Sequence, residues 1–211
     1  MSGTQEAQKL LKNAHVAPEI FELRPDYRAL LMVVEGIPTG PSDDFSEALL
    51  SEAENSAKDK LSHCPVTEIP HIAAWREAYK AFGAKPQKTR NSLEALTRED
   101  LDKYDGSPVL VRATGNEEFE TFSGGKPQTE HAAPGEPVWR DDSGITCRRW
   151  NWRQGPRTAL TDDTSRVLFI LDALEPLTDD VLTQAADELA SALKSLSPEV
   201  QAVHRIIGPS V

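Results

Sequence analysis

The stretch Glu136-Pro137-Val138-Trp139-Arg140-Asp141-Asp142-Ser143-Gly144-Ile145-Thr146-Cys147-Arg148-Arg149-Trp150 decides the fold. Residues 136–140 and 145–150 are rich in β-forming side chains, and Asp141-Asp142-Ser143-Gly144 between them is turn chemistry, so the segment reads as a β-hairpin. Working outward, Tyr27 to Ile37 and Val167 to Leu174 read as buried strands. Val109 to Ala113 alternates as a strand, with Glu117 to Phe122 placed beside it, and Ser123 to Pro134 reads as a surface loop.

Three long helices and one short one are predicted. Ser42-Asp43-Asp44 caps one that runs to about Leu61. A second, from about His71 to Phe82, puts Ile72, Trp75, Tyr79 and Phe82 on one face and ends at Gly83. Thr178-Asp179-Asp180 starts the third, with Leu182, Ala185, Leu189, Leu193 and Leu196 on its apolar face. A short helix capped by Asn91 or Ser92 reaches Leu96. Helices and strands alternate irregularly and a hairpin is present. This predicts a single α+β domain, a mixed or antiparallel sheet core flanked by helices, rather than a doubly wound parallel sheet. Residues 1–24 read as an N-terminal lead-in and 25–211 as the domain.

The chain has 211 residues, 34 acidic and 23 basic, for a formal charge of -11. That charge argues against sequence-independent nucleic-acid binding by the whole surface, because phosphate would be repelled at long range. No apolar run is long enough to span a bilayer, and Met1 to Leu11 lacks the apolar stretch of a signal peptide. Cys64 and Cys147, and the five histidines, match no metal-ligand spacing. The expectation is a cytoplasmic protein without metal, cofactor or membrane.

Basic charge is nonetheless segregated. Residues 147–158 carry Arg148, Arg149, Arg153 and Arg157 with Trp150 and Trp152, and no acid. Residues 75–98 carry Arg76, Lys80, Lys85, Lys88, Arg90 and Arg98 against Glu77 and Glu94. Planar donors and flat rings suit a polyanion with stacking bases. On strand spacing, Arg148, Trp150 and Trp152 share one face, and Arg149, Asn151 and Arg153 the other. The tryptophans are then expected to pack, and the opposite face to line a pocket. Glu94 is also placed to pair with Arg90 on its helix.

Two stretches carry a resemblance. His71-Ile72-Ala73-Ala74-Trp75-Arg76, through Phe82-Gly83-Ala84-Lys85-Pro86 and Arg90-Asn91-Ser92-Leu93-Glu94-Ala95-Leu96, is the first. Pro134-Gly135-Glu136 through Cys147-Arg148-Arg149-Trp150-Asn151-Trp152-Arg153-Gln154, on to Thr158, Thr161 and Thr164, is the second. Both resemble the stand-alone B3/B4-domain proteins, relatives of the editing domain in the beta subunit of bacterial phenylalanyl-tRNA synthetase, over roughly Leu30 to Leu171. In that synthetase the domain hydrolyses the ester of tyrosine wrongly joined to the phenylalanine tRNA.

The resemblance implies a trans-editing aminoacyl-tRNA deacylase that hydrolyses a mischarged tRNA by water attack, with the aminoacylated 3′ end of tRNA as partner. The alternative of the same fold is a non-catalytic tRNA- or amino-acid-binding module. An aminoacyl ester is already activated, so such a site positions water and stabilises an oxyanion rather than supplying a nucleophile. The resemblance and the residue types together nominate Asn151, Arg153, Gln154, Arg149, Glu94 and Thr158 for substrate, and Lys85, Lys88 and Arg90 for tRNA.

Two departures stand out. Where the synthetase carries its tyrosine-sensing Glu, this chain has Pro156 or Arg157 and no acid. The family pattern also has a couple of dozen residues where Leu96-Thr97-Arg98 here meets Glu99-Asp100-Leu101 directly. Either a segment is deleted, or one is missing between 98 and 99 and the numbering is closed up; the second is the expectation.

Overall fold

Strand β2 (Arg28–Glu35) is the spine of the fold, apolar on both faces because both are covered. The computed structural model describes residues 3–85, 97–123 and 126–209. The short helix at 91–96, and Lys88, Arg90 and Glu94, lie outside those residues.

In chain order the elements are α1 (Gly3–Asn13), β1 (His15–Val16), α2 (Pro18–Leu23), β2, α3 (Asp44–His63), α4 (Pro70–Ala81), β3 (Thr97–Asp100), β4 (Val109–Arg112), β5 (Glu118–Ser123), β6 (Lys126–His131), β7 (Pro137–Asp141), β8 (Gly144–Arg148), β9 (Arg153–Gln154), β10 (Arg166–Ala173), α5 (Asp179–Leu196) and β11 (Gln201–Ile207). An antiparallel sheet has the order β11-β2-β10-β3. A mixed sheet has the order β1-β4-β7-β8-β9, in which only β1 and β4 pair in parallel among the described pairs. The chain is thus α+β with mixed and antiparallel sheets, as its hairpin and irregular alternation imply.

Period-two alternation distributes the core. From β2, Leu30, Met32 and Val34 join Val167 and Phe169 of β10 beneath α5. Ala29, Leu31 and Val33, with Leu168 and Ile170, face the other way into the larger cluster. There they meet α1, α2 and α4, and Leu110, Trp139 and Cys147 of the mixed sheet. The far face of the mixed sheet presents Val138 and Ile145 to Phe119 of β5. Strand β3 runs unbroken across Arg98 and Glu99, which lie opposite Phe169 and Leu168. Residues 3–24 are built into the larger cluster through Ala7, Leu11, Val16 and Ile20. Arg205 of β11 holds α1 in place, its guanidinium donating to the carbonyls of Leu11, Lys12 and Ala14 at the helix end (2.6, 2.9 and 3.1 Å).

Four details differ from expectation. β5 pairs with β6 rather than β4, so the segment read as a surface loop is mostly strand; its exposed, polar sequence hides a two-stranded ribbon stabilised on one side by the Phe119 cluster. β3, a polar strand, and β11, which mixes apolar with polar residues, lie on sheet edges and have no apolar run to announce them. The hairpin's second strand stops at Arg148 instead of Trp150. Finally, α5 buries Leu182, Ala186 and Ala190, while Ala185 is exposed. Small residues at i and i+4 let the helix sit close on the sheet, so the apolar stripe is rotated from the leucine face.

Exchanging these alanines tests the α5 register. Ala186→Asp is expected to destabilise the fold by about 3 kcal/mol or more, as a buried unpaired charge does, whereas Ala185→Asp changes stability by no more than about 0.5 kcal/mol. Urea denaturation of the two variants measures the difference.

Candidate functional site

The Arg/Trp run sits where the mixed sheet turns from β8 into β9, and its geometry begins with a bulge. Trp139 lies opposite Cys147 and Arg140 opposite Ile145, leaving Thr146 as the extra residue. This shifts the side-chain phase, so Ile145 faces the β5–β6 ribbon while Cys147 faces the larger core. Residues 149–152 then form the turn, with Arg149 and Trp150 both left-handed (φ 50° and 59°). For non-glycine residues that conformation costs roughly 1–2 kcal/mol each and is typically retained at functional positions. The turn is closed by Trp152 N–H donating to the Arg148 carbonyl (3.1 Å).

Simple strand alternation therefore fails across 148–153. Arg148 points to the ribbon, and Trp150, fully buried, points to the aromatic core. Asn151 is buried beside it instead of sharing a pocket face with Arg149 and Arg153. Two consecutive left-handed residues rotate the chain so that neighbours in sequence point inward together.

Charge is the second correction to the picture of a free basic run. The Arg148 guanidinium binds Glu136 at two points (2.6 and 3.0 Å) and Glu130 at 2.7 Å. Arg149 also reaches Glu136 (3.2 Å), and Arg153 reaches Glu130 (3.2 Å). Arg157 forks onto the buried Asp141 carboxylate (3.0 and 2.7 Å), which also accepts from the backbone N–H groups of Asp105, Ser143 and Gly144. Every arginine of the run is ion-paired within the chain. The Arg148–Glu136 pair is almost wholly buried, with side-chain exposures of 4% and 1%. What remains at the surface is half-buried Trp152, with the Arg149 and Arg153 guanidiniums 4.5 and 5.1 Å from its ring centroid.

Beneath the turn lies a polar network in an aromatic shell. Trp150 packs against Tyr27, Trp75 and Phe82 at centroid separations of 5.8, 5.5 and 5.6 Å. Tyr79 O–H donates to Asn151 Oδ1 at 2.7 Å, and Tyr27 O–H donates to Asp172. Burial pushes the Asp172 carboxyl up to about 6, opposed by hydrogen bonding from Tyr27 and Asn151. Burial also raises both phenols well above their usual range. The Asn151 amide is held between Tyr79 and Asp172.

The remaining nominated residues are placed as follows. Gln154 is half-buried and donates to the Thr158 carbonyl (3.1 Å), and Thr158 is fully buried. Lys85 is exposed just past the end of α4. Thus the turn brings Arg149, Asn151, Arg153, Gln154 and Thr158 into one region. Sequence reasoning did not reach Glu130, Asp172, Tyr27 or Tyr79 as partners. A lone Asp inside the apolar strand Val167 to Leu174 was the signal for Asp172; Glu130 gave none. Among the described residues no group of three or more His, Cys, Asp or Glu could hold a metal ion, and no helix is long and apolar enough to cross a membrane.

Residues 95–197 match the model of the B3/4 domain family. Among solved structures, an N-terminal fragment of the phenylalanyl-tRNA synthetase beta subunit from Pyrococcus horikoshii is similar, with a TM-score of 0.50 and 15% identity over 92% of this chain. The similarity takes in 50% of that fragment, so this chain spans about half its length, and the likeness at that identity is one of fold. A comparison with curated proteins found no match.

Two measurements check the site. Glu136→Ala strands Arg148 without its buried partner and is expected to cost about 3–5 kcal/mol in urea denaturation. For Asp172, the folded carboxyl binds its proton more tightly than the unfolded one, so its ionisation lowers stability as pH rises from about 4 to about 6. Asp172→Asn is expected to flatten that slope and to be more stable than the wild type above pH 6 relative to pH 4, read from denaturation midpoints across the range.

Proposed function

We propose that this protein is a trans-acting aminoacyl-tRNA deacylase that hydrolyses the ester of a mischarged tRNA by attack of water. The observation that carries the reading is the B3/4 match over residues 95–197, which contains the strained turn and its ion-paired arginines. Left-handed backbone at two large side chains carries a cost, and it fits a turn whose shape is used.

In this reading the acyl group and terminal ribose lie over the outer side of the turn, against Trp152, Arg149, Arg153 and Gln154. Glu136 and Glu130 orient the guanidiniums as fixed N–H donors and temper their charge, which suits a developing oxyanion held in a preorganised site. Asn151 is a positioning residue, since Tyr79 and Asp172 hold its amide from within and so fix the turn. Lys85, with Lys88 and Arg90 nearby in sequence, would meet tRNA phosphates. Glu94 and Thr158 complete the nominated set, Thr158 through its carbonyl contact with Gln154.

One observation favours the non-catalytic module instead: the Asn151 amide is committed inward, so the turn supplies stacking and cationic donors without an obvious group to direct water. A panel of mischarged tRNAs separates the two. The wild type is expected to deacylate at least one ester well above the spontaneous rate, and Arg153→Ala, at the solvent side of the turn, to lower that rate by about tenfold or more, the scale of one lost oxyanion donor. Binding of aminoacyl-tRNA without hydrolysis of any ester sinks the enzyme and leaves the module; neither binding nor hydrolysis sinks both.

A further inference from the structure

Two carboxylates hold Arg148, Arg149 and Arg153 among the described residues, and of these Glu130 alone is open to solvent. Its side chain is 39% exposed, whereas that of Glu136 is 1% exposed and also accepts from the Ala133 N–H. Strand pairing decides where Glu130 points. It lies opposite Phe119 in the β5–β6 ribbon, and directly opposed residues share a face, so both look toward the mixed sheet. Phe119 is buried there with Val138 and Ile145, while Glu118 and Glu120, on either side of it in sequence, take the far face. Each Glu130 oxygen is held by one arginine, Oε2 by Arg148 at 2.7 Å and Oε1 by Arg153 at 3.2 Å. The two bonds come from β8 and β9 and fix the carboxylate in one pose. A carboxylate accepts about four hydrogen bonds, so this clamp leaves both oxygens able to accept again. Arg148 closes one side of the group at 4% exposure, and Arg153, at 34%, lies on the open side.

We propose that Glu130 is the catalytic residue that orients the attacking water and takes its proton. The inference rests on the deacylase reading above. The turn supplies cationic donors but no group to direct water, and the ribbon beside it supplies that group. Glu130 and Arg153 set an acceptor next to a donor at the solvent-facing edge, where the Arg153 guanidinium also lies over the ring of half-buried Trp152. An ester whose carbonyl oxygen takes N–H groups of Arg153 has its carbon within reach of a water held on Glu130, as water attack requires. A carboxylate locked in one pose pre-positions that water, which suits an ester already activated. The bond changes balance. The water oxygen bonds to the acyl carbon, the oxyanion forms against Arg153, and Glu130 takes one water proton. Collapse breaks the bond between the acyl carbon and the ribose oxygen, and the same proton passes to that oxygen as the leaving hydroxyl. The carboxylic acid product releases the second water proton to solvent, and Glu130 is again a carboxylate.

Hydroxylamine separates this role from simple support of the arginines, because it attacks an acyl ester without a base to remove its proton first. With a mischarged tRNA that the wild type deacylates, Glu130→Gln is expected to lower kcat for hydrolysis by about a hundredfold, the scale of a lost general base, with KM changed by less than about threefold. The enzyme-dependent rate with hydroxylamine is expected to stay within about threefold of the wild type. Glu130→Asp keeps the charge between the arginines and draws it back by one methylene. It is expected to show the same split to a lesser degree, and it is the variant read if the glutamine protein does not fold. Equal loss of both reactions in a variant with a wild-type denaturation midpoint assigns Glu130 to holding Arg148 and Arg153 alone and overturns the inference. Unchanged hydrolysis overturns it too, and in both cases the deacylase reading stands. Absence of hydrolysis by the wild type overturns the inference together with that reading.

Discussion

The buried fork between Arg148 and Glu136 is the contact on which the arrangement around the turn depends. It joins the end of β8 to the residue entering β7, and through Glu130 it ties the mixed sheet to the β5–β6 ribbon. A guanidinium and a carboxylate so far from water are tolerable only with near-complete hydrogen bonding, and Arg148 obtains it from two carboxylates. The pair fixes the point where the strand must end. Arg149 also leans on Glu136, so the chain enters the left-handed turn already anchored. From there the positions of Trp150, Asn151 and Trp152 follow.

Inside that turn, aromatic packing and polar satisfaction are solved together. Trp150 fills the space between Tyr27, Trp75 and Phe82, and its neighbour Asn151 joins the tyrosine and aspartate groups that such an apolar shell would otherwise strand. The raised pKa of Asp172 is the electrostatic signature of the same enclosure. Bulge, ion pair and turn act as one device: the bulge at Thr146 sets the phase that aims Arg148 at its glutamates, and the left-handed residues aim the following side chains inward.

Much of the fold was legible in the sequence. Long apolar runs gave β2 and β10, the Asp141–Gly144 turn gave the hairpin, and capping residues at Asp43 and Thr178 placed α3 and α5. These signals are local: each rests on side chains a few residues apart. β3, β6 and β11 were not legible, because an edge or surface strand takes its pairing from a distant neighbour and needs no apolar pattern of its own. The same holds at the site. The residues 148–157 announced themselves by composition, but Glu130 and Asp172, which determine what those residues are bonded to, come from other strands.

The sequence by itself determined that the chain is α+β, that basic and aromatic side chains concentrate after the hairpin, and that the two motif stretches resemble the B3/B4 proteins. Only the tertiary structure decided that the arginines are paired and that Asn151 faces inward. A run without an acid looks cationic along the chain, yet its charge in the fold is set by carboxylates that pairing and a bulge bring within hydrogen-bonding distance. Period-two reasoning holds only while the backbone stays extended, and two left-handed residues end it at Arg149.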